Sequence, residues 1–516
     1  MPEVQILSLK RSLPFEILKE IIDHLADALR HDTAATFQDT MKNVALASTT
    51  FLPLARAHLF HKVDLSGSHD PQGTRRENLA RFLLDQPHLA RAVHWITYKR
   101  TRRDDKTNIH SQLSILLKEL VCVKTLSITF DNFVSDIARS PPQPSLWRSI
   151  LSHCLTSNHL TTLALHHIIA TQFPLLEILS CPSLISVTFS SCTCSMDMED
   201  EEFIDFAGSH SFNVQEIQFQ EKLSLKSIPL ICLFLCTNLR RFSGHGLFSS
   251  DGMDILPAQY KRPLAKLDCL DLVQTCESMD WESFLDDVER LCGGEAAFPA
   301  LTHLSVGFDS GSYTPHIRPE SIPRLFFTHV PSLRSFKAYG PMLHRVDLPR
   351  CLGPVGHHLS KLDLLWDFGE VFEDEYCYFD GNEEEEEARP NHVSNTLTQF
   401  KSLRLEALED LSLTIKLAAA VCVDFDSAKE LATIMSEFRG LINKDLFPSL
   451  QTAHAKISMM MYWKPEEDNP DEEEPYVQKA KVPLNDCLRG FVADETICYS
   501  WDVDVYSRAH TDQRLY

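Results

Sequence analysis

Eight times between Leu160 and Leu413 the chain repeats one phrase, apolar-x-x-apolar-x-apolar. The copies are Leu160/Leu163/Leu165, Leu184/Val187/Phe189, Val214/Ile217/Phe219, Leu267/Leu270/Leu272, Leu301/Leu304/Val306, Leu333/Phe336/Ala338, Leu359/Leu362/Leu364 and Leu408/Leu411/Leu413. Leu239/Phe242 is a truncated ninth, and Val93/Ile96/Tyr98 and Val123/Leu126/Ile128 are earlier candidates. As far as Leu359 successive copies start 24–37 residues apart. A recurring short apolar alternation at such intervals is the mark of stacked supersecondary units, none of which buries its apolar face alone.

Each unit reads as a strand followed by a helix. Cys181-Pro182-Ser183, Phe298-Pro299-Ala300, Val330-Pro331-Ser332 and Phe447-Pro448-Ser449 each stop a helix and turn the chain into a strand, because proline cannot continue a helix. Helical spacing lies between copies, as in Leu146–Leu155, Trp281–Leu291, Ile322–Val330 and Ala428–Leu441. In a strand, positions 4 and 6 of the unit point one way and positions 3, 5 and 7 the other. The inward set is apolar; the outward set is mostly polar, including Glu216, Arg241, Asp271, Lys337 and Asp363. The expectation is an α/β array of parallel inner strands with one polar open face.

These repeats resemble leucine-rich repeats of an irregular kind. The Asn or Cys that the family carries at position 9 is matched by Cys192, while Ile168, Lys222 and Pro341 stand there in other copies. The first residues carry a second resemblance. Leu13-Pro14-Phe15-Glu16-Ile17-Leu18, with Ile21, Ile22 and Leu25, reads as a helix with an apolar stripe and Lys19, Glu20 and Asp23 opposite it. A polar connector follows over Ala26–Asp39, then a helical pattern from about Thr40 to Leu52, and Pro53 restarts a third helix. This opening, with the later Phe51-Leu52-Pro53-Leu54-Ala55-Arg56, resembles the F-box in its divergent fungal form, with Phe51 where the family usually has Trp.

The fold class expected is therefore α/β: a small all-helical F-box-like domain over 1–65, a linker or first repeat over 66–110, and a leucine-rich-repeat-like solenoid over 111–463. An acidic loop over 370–390 interrupts the solenoid, and 464–516 forms an acidic loop with a tail or cap. The resemblance implies the substrate-recognition subunit of a cullin–RING ubiquitin ligase. Its first helices would dock on a Skp-type linker protein through Leu13, Pro14, Ile17, Ile21, Leu46 and Phe51, and the repeats would hold a protein substrate. Tyr339 and Leu365, with Trp366 alongside, are the expected substrate contacts, since large side chains on a binding face carry its energy. A repeat scaffold unconnected to ubiquitin, its N-terminal helices serving as a cap, is the competing expectation.

Composition narrows the partner. The net charge of −23 disfavours nucleic acid. Seventeen of the acids lie in two runs, ten within 370–387 and seven within 466–474, which read as solvated loops. Lys99-Arg100-Thr101-Arg102-Arg103 reads as a basic loop. The longest apolar stretch, Ile228–Cys236, is too short for a membrane span, and Met1-Pro2-Glu3-Val4 does not open a signal peptide. Fifteen cysteines, an odd number, suit reduced thiols in the cytoplasm or nucleus. Cys192-x-Cys194 and Cys232-x3-Cys236 lack a second half at zinc spacing, so no cofactor or metal is expected. His166-His167 and His357-His358, taken as strand neighbours, would face opposite ways, and Asp424 and Asp426 have no nucleophile or metal motif beside them. No enzymatic constellation is expected.

Overall fold

The computed structural model describes residues 14–29, 34–66, 74–100, 110–130, 146–168, 173–192, 200–220, 228–246, 248–249, 253, 255–274, 281–308, 328–340, 343, 346–367, 389–420, 432–463 and 473–509. The chain divides into two compact units, Met1–Cys192 and Thr193–Tyr516.

The first unit opens with three helices, α1 (Phe15–Leu29), α2 (Ala34–Ala47) and α3 (Leu52–Leu59). Pro14 stands just outside α1, whose first turn closes on its carbonyl, with Ile17 N 3.1 Å and Leu18 N 3.2 Å away. Of the connector expected over Ala26–Asp39, residues 26–29 and 34–39 are helical, as Ala26, Ala28, Ala34 and Ala35 favour. α1 packs against α2 and α3. Then come β1 (Lys62–Asp64), β2 (Trp95–Arg100), β3 (Thr125–Phe130), β4 (Thr162–His166) and β5 (Ser186–Ser190). All pair in parallel and in order. The helices Thr74–Asp85, His110–Glu119 and Leu146–Thr156 connect them and pack in succession. The stretch 66–110 thus carries its own helix and strand. Lys99 and Arg100, expected in a loop, end β2, and the Arg100 guanidinium lies 4.9 Å from the Phe130 ring centre.

The second unit holds β6 (Glu216–Gln220), a two-residue parallel pair β7 (Ile228–Pro229) and β9 (Phe248–Ser249), β8 (Arg241–Gly246) and β10 (Cys269–Gln274). It continues through β11 (His303–Phe308), β12 (Ser335–Gly340), β13 (Lys361–Asp367), β14 (Asp410–Ala420), β15 (Thr452–Trp463) and β16 (Cys498–Ala509). Apart from β7 and β9, these run parallel, each beside the next. The ladder reaches Ala509, so 464–516 is no mere tail: the helix Glu473–Arg489 packs on β16, and the Tyr499 hydroxyl donates to the Leu488 carbonyl over 2.9 Å. Small residues hid β15, whose inward positions are Ala453 and Ala455. The acidic run 370–387 and Asp424 and Asp426 lie outside the described residues, as does most of 466–474.

Every proline phrase is a turn entering a strand. In the three that end in serine, that serine also stitches one repeat to the one before: Ser183 Oγ donates to the Leu160 carbonyl (2.9 Å), Ser332 to Pro299 (2.7 Å) and Ser449 to Glu406 (2.6 Å). Three strands share one kind of exit. His167, Ser191 and Gly340, each at position 8, have φ of 57°, 52° and 121°. That left-handed corner turns Ile168 and Cys192 back into the core, where Cys192 Sγ donates to the Leu165 carbonyl at 3.3 Å. His167 therefore lies beyond β4, and His357 and His358 sit in a turn with ring centres 3.6 Å apart, so neither pair occupies a strand as expected.

Candidate functional site

α1 has two apolar sides, not one. Ile22 and Ala26 face α2 and α3 and are buried with Met41, Leu54 and Ala55. Pro14, Ile17 and Ile21 lie on another side and stay exposed, Ile21 at 52%. Near the end of α2, Leu46 is 84% exposed. Single exposed apolar residues are ordinary; several large ones on neighbouring helices of a small module make a candidate docking surface. Of the six residues expected to meet the linker protein, Pro14, Ile17, Ile21 and Leu46 are exposed. Phe51 is half-buried where it caps α3, its carbonyl accepting from Ala55 N at 2.8 Å. Leu13 lies outside the described residues.

One polar contact fixes this module. His58 Nε2 on α3 lies 2.8 Å from Asp23 Oδ1 on α1, and Lys19 Nζ lies 3.2 Å from Oδ2. Burial alone would raise the Asp23 carboxyl, but the hydrogen bonds from His58 and Lys19 outweigh it and hold the group below its ordinary value of 3.8.

The open face of the strand ladder is the second surface. In each unit, strand positions 4 and 6 are buried and 3, 5 and 7 reach solvent to varying degrees, as in β4 and β5. In the second unit the face is laced by ion pairs between adjacent strands. Arg241 meets Glu216 at 3.7 Å, Lys337 meets Asp363 at 3.9 Å, Lys361 meets Asp410 at 3.0 Å and Lys416 meets Asp367 at 3.4 Å. Lys456 reaches both Asp502 (3.0 Å) and Asp504 (2.6 Å), whose hydrogen bonds raise the ammonium above its ordinary range. Cross-strand pairs of opposite charge support the register.

Tyr339 and Leu365 stand opposite each other on β12 and β13, half-exposed on this face, with Lys337 Nζ 5.5 Å from the Tyr339 ring centre. Trp366 is not with them. It is 2% exposed on the inner side, because strand alternation turns the residue after Leu365 into the core. The expectation of a contact residue fails there. Trp95 was missed: at 37% exposure it is on the open face of β2, at position 3 of the Val93/Ile96/Tyr98 copy. Its signal in the sequence is that outward position in an early copy of the repeat.

Among the described residues no group of three His, Cys, Asp or Glu side chains could hold a metal ion, and no helix is long and apolar enough to cross a membrane. Cys154 and Cys232 are buried, and burial pushes both thiols up to about 12.

No protein-family profile matches the chain, and no curated protein matches it. Among solved structures, one that matches is described as a crystal structure of a TLR13–ssRNA13 complex. The match has 13% identity and a TM-score of 0.34, and it covers 82% of this chain. This chain spans about half of that one, 54%.

Proposed function

We propose that the chain is a substrate-recognition subunit of a cullin–RING ubiquitin ligase, bridging a Skp-type linker protein and a protein substrate. The observation that carries this is the two-sidedness of α1: one apolar side closes the module's own core, and Pro14, Ile17 and Ile21, like Leu46 on α2, are left exposed for a partner. The residues left open are those the F-box resemblance assigns to linker binding. A helical cap for the repeats would instead bury its apolar surface against the first strand. The ladder's open face offers the surface for a substrate. The chain itself then makes and breaks no bond; it raises the local concentration of a substrate beside a charged ubiquitin carrier.

The test is capture of purified Skp-type linker by the full chain and by an Ile21→Asp/Leu46→Asp variant. Charging two central anchors should remove about 2–4 kcal/mol of binding, some thirtyfold or more. Both side chains are exposed, so the variant should keep its urea midpoint. A folded wild-type chain that captures no linker would end the ligase reading and leave a protein-binding repeat scaffold.

A further inference from the structure

Lys62, on the open face of the first unit, is held differently from four lysines on the face of the second. In the second unit Lys337, Lys361, Lys416 and Lys456 each lie within 4 Å of a carboxylate on a neighbouring strand. In the first unit Lys62 has no such neighbour among the described residues. Its ammonium lies 3.9 Å from the centre of the Trp95 ring, directly across the β1–β2 register. A cation held only by an indole keeps its charge available to a ligand, and the indole supplies a large rigid contact at small entropic cost.

The rest of that face extends the contrast. On the outward positions of β1–β5, Asp64 is the single carboxylate, and its Oδ1 already accepts from Ser66 N at 2.8 Å. Most other outward residues are Ser or Thr, including Thr97, Thr125, Ser127 and Thr162. Hydroxyls donate to carboxylates without bringing a compensating negative charge. In a chain of net charge −23, a face of hydroxyls that carries two outward lysines, Lys62 and Lys99, against one carboxylate, with an exposed tryptophan, stands apart.

We propose that the open face of β1–β5 docks an extended, Asp/Glu-rich segment of a partner protein, with Lys62 pairing a carboxylate and Trp95 packing against the neighbouring residue. This gives the substrate class for the recognition function proposed above and rests on that reading. An extended strand-like segment presents side chains two apart on one side at about 6.6 Å, the spacing of successive outward positions along a single strand such as β2. His166, on the same face, is held below its ordinary value by burial and by neighbouring His167, so it adds no repelling or attracting charge near pH 7.

The experiment is selection from a random 12-residue peptide library displayed against the full chain. Affinities of the enriched peptides are then measured on wild type, Lys62→Glu, Trp95→Ala and Lys118→Glu, the last an exposed helical lysine away from the strand face. The expected result is enrichment of acidic peptides whose Kd rises about tenfold or more in Lys62→Glu and in Trp95→Ala but not in Lys118→Glu. Their binding should weaken as salt rises. Lys62 and Trp95 are exposed, and equal urea midpoints confirm that the variants fold. Neutral or basic peptides, affinities that ignore both substitutions, or no enrichment would each overturn the proposal. So would displacement of the peptides by phosphatidylserine vesicles or single-stranded RNA as effective as by free peptide. Linker capture is read on the same proteins: Lys62→Glu should leave it intact and Ile21→Asp should leave peptide binding intact, so each reading can fail alone.

Discussion

At the scale of single residues, the N-terminal module turns on Asp23. Its carboxylate joins α1 to α3 through His58 and takes Lys19 from within α1. A carboxyl whose value is depressed on folding contributes stability that is complete above its unfolded value and is lost as pH falls through the folded one. Asp23 is partly exposed, so solvent screens the pair and its share is about 0.5 kcal/mol. Acidification from pH 6 to below pH 4 should therefore loosen α1 selectively, and Asp23→Asn should remove that local acid response while leaving later repeats as they are. Amide hydrogen exchange along α1 at the two pH values reads this directly. Equal acid sensitivity of α1 in wild type and Asp23→Asn would show that the contact does not hold the helix.

At the scale of the element, α1 offers two adjacent isoleucines with opposite duties. Ile22, 3% exposed, fills the module's core, and Ile22→Ala should cost about 2–4 kcal/mol of module stability through the lost burial and the cavity left. Ile21→Ala should change stability by less than about 0.5 kcal/mol, as exposed substitutions do, while weakening linker capture. Thermal melts paired with capture separate them; a large stability loss from Ile21→Ala would mean its side is a core. The sequence showed that α1 is helical and apolar but merged the two sides, since periodicity alone does not say which side a neighbouring helix covers. The repeats were legible because position 4 and 6 apolar residues must point inward wherever a strand forms, and Leu163, Val187 and Phe336 do. β15 was obscured because Ala453 and Ala455 bury without looking like a leucine phrase. Trp366 was misplaced by ignoring that same alternation. Trp95 needed its neighbour across the strand, Lys62, which lies thirty-three residues earlier and belongs to a strand too short to read from the sequence.

At the scale of the whole chain, a repeat array stores stability locally, each unit held by itself and its nearest neighbours. Serine stitches and parallel ladders join one repeat to the next, so a defect in one unit should stay near it. Two thiols report on this. Cys154, in Met1–Cys192, and Cys351, in Thr193–Tyr516, are both buried and pushed up to about 12 by burial, so neither reacts until its surroundings open. Leu163, fully buried on β4, provides the defect: Leu163→Ala should cost about 2–5 kcal/mol. Iodoacetamide labelling along a urea gradient, resolved by peptide mass, should then show the Cys154 midpoint falling well below its wild-type value while that of Cys351 moves little. Parallel shifts of both midpoints would mean that the chain unfolds as one cooperative block.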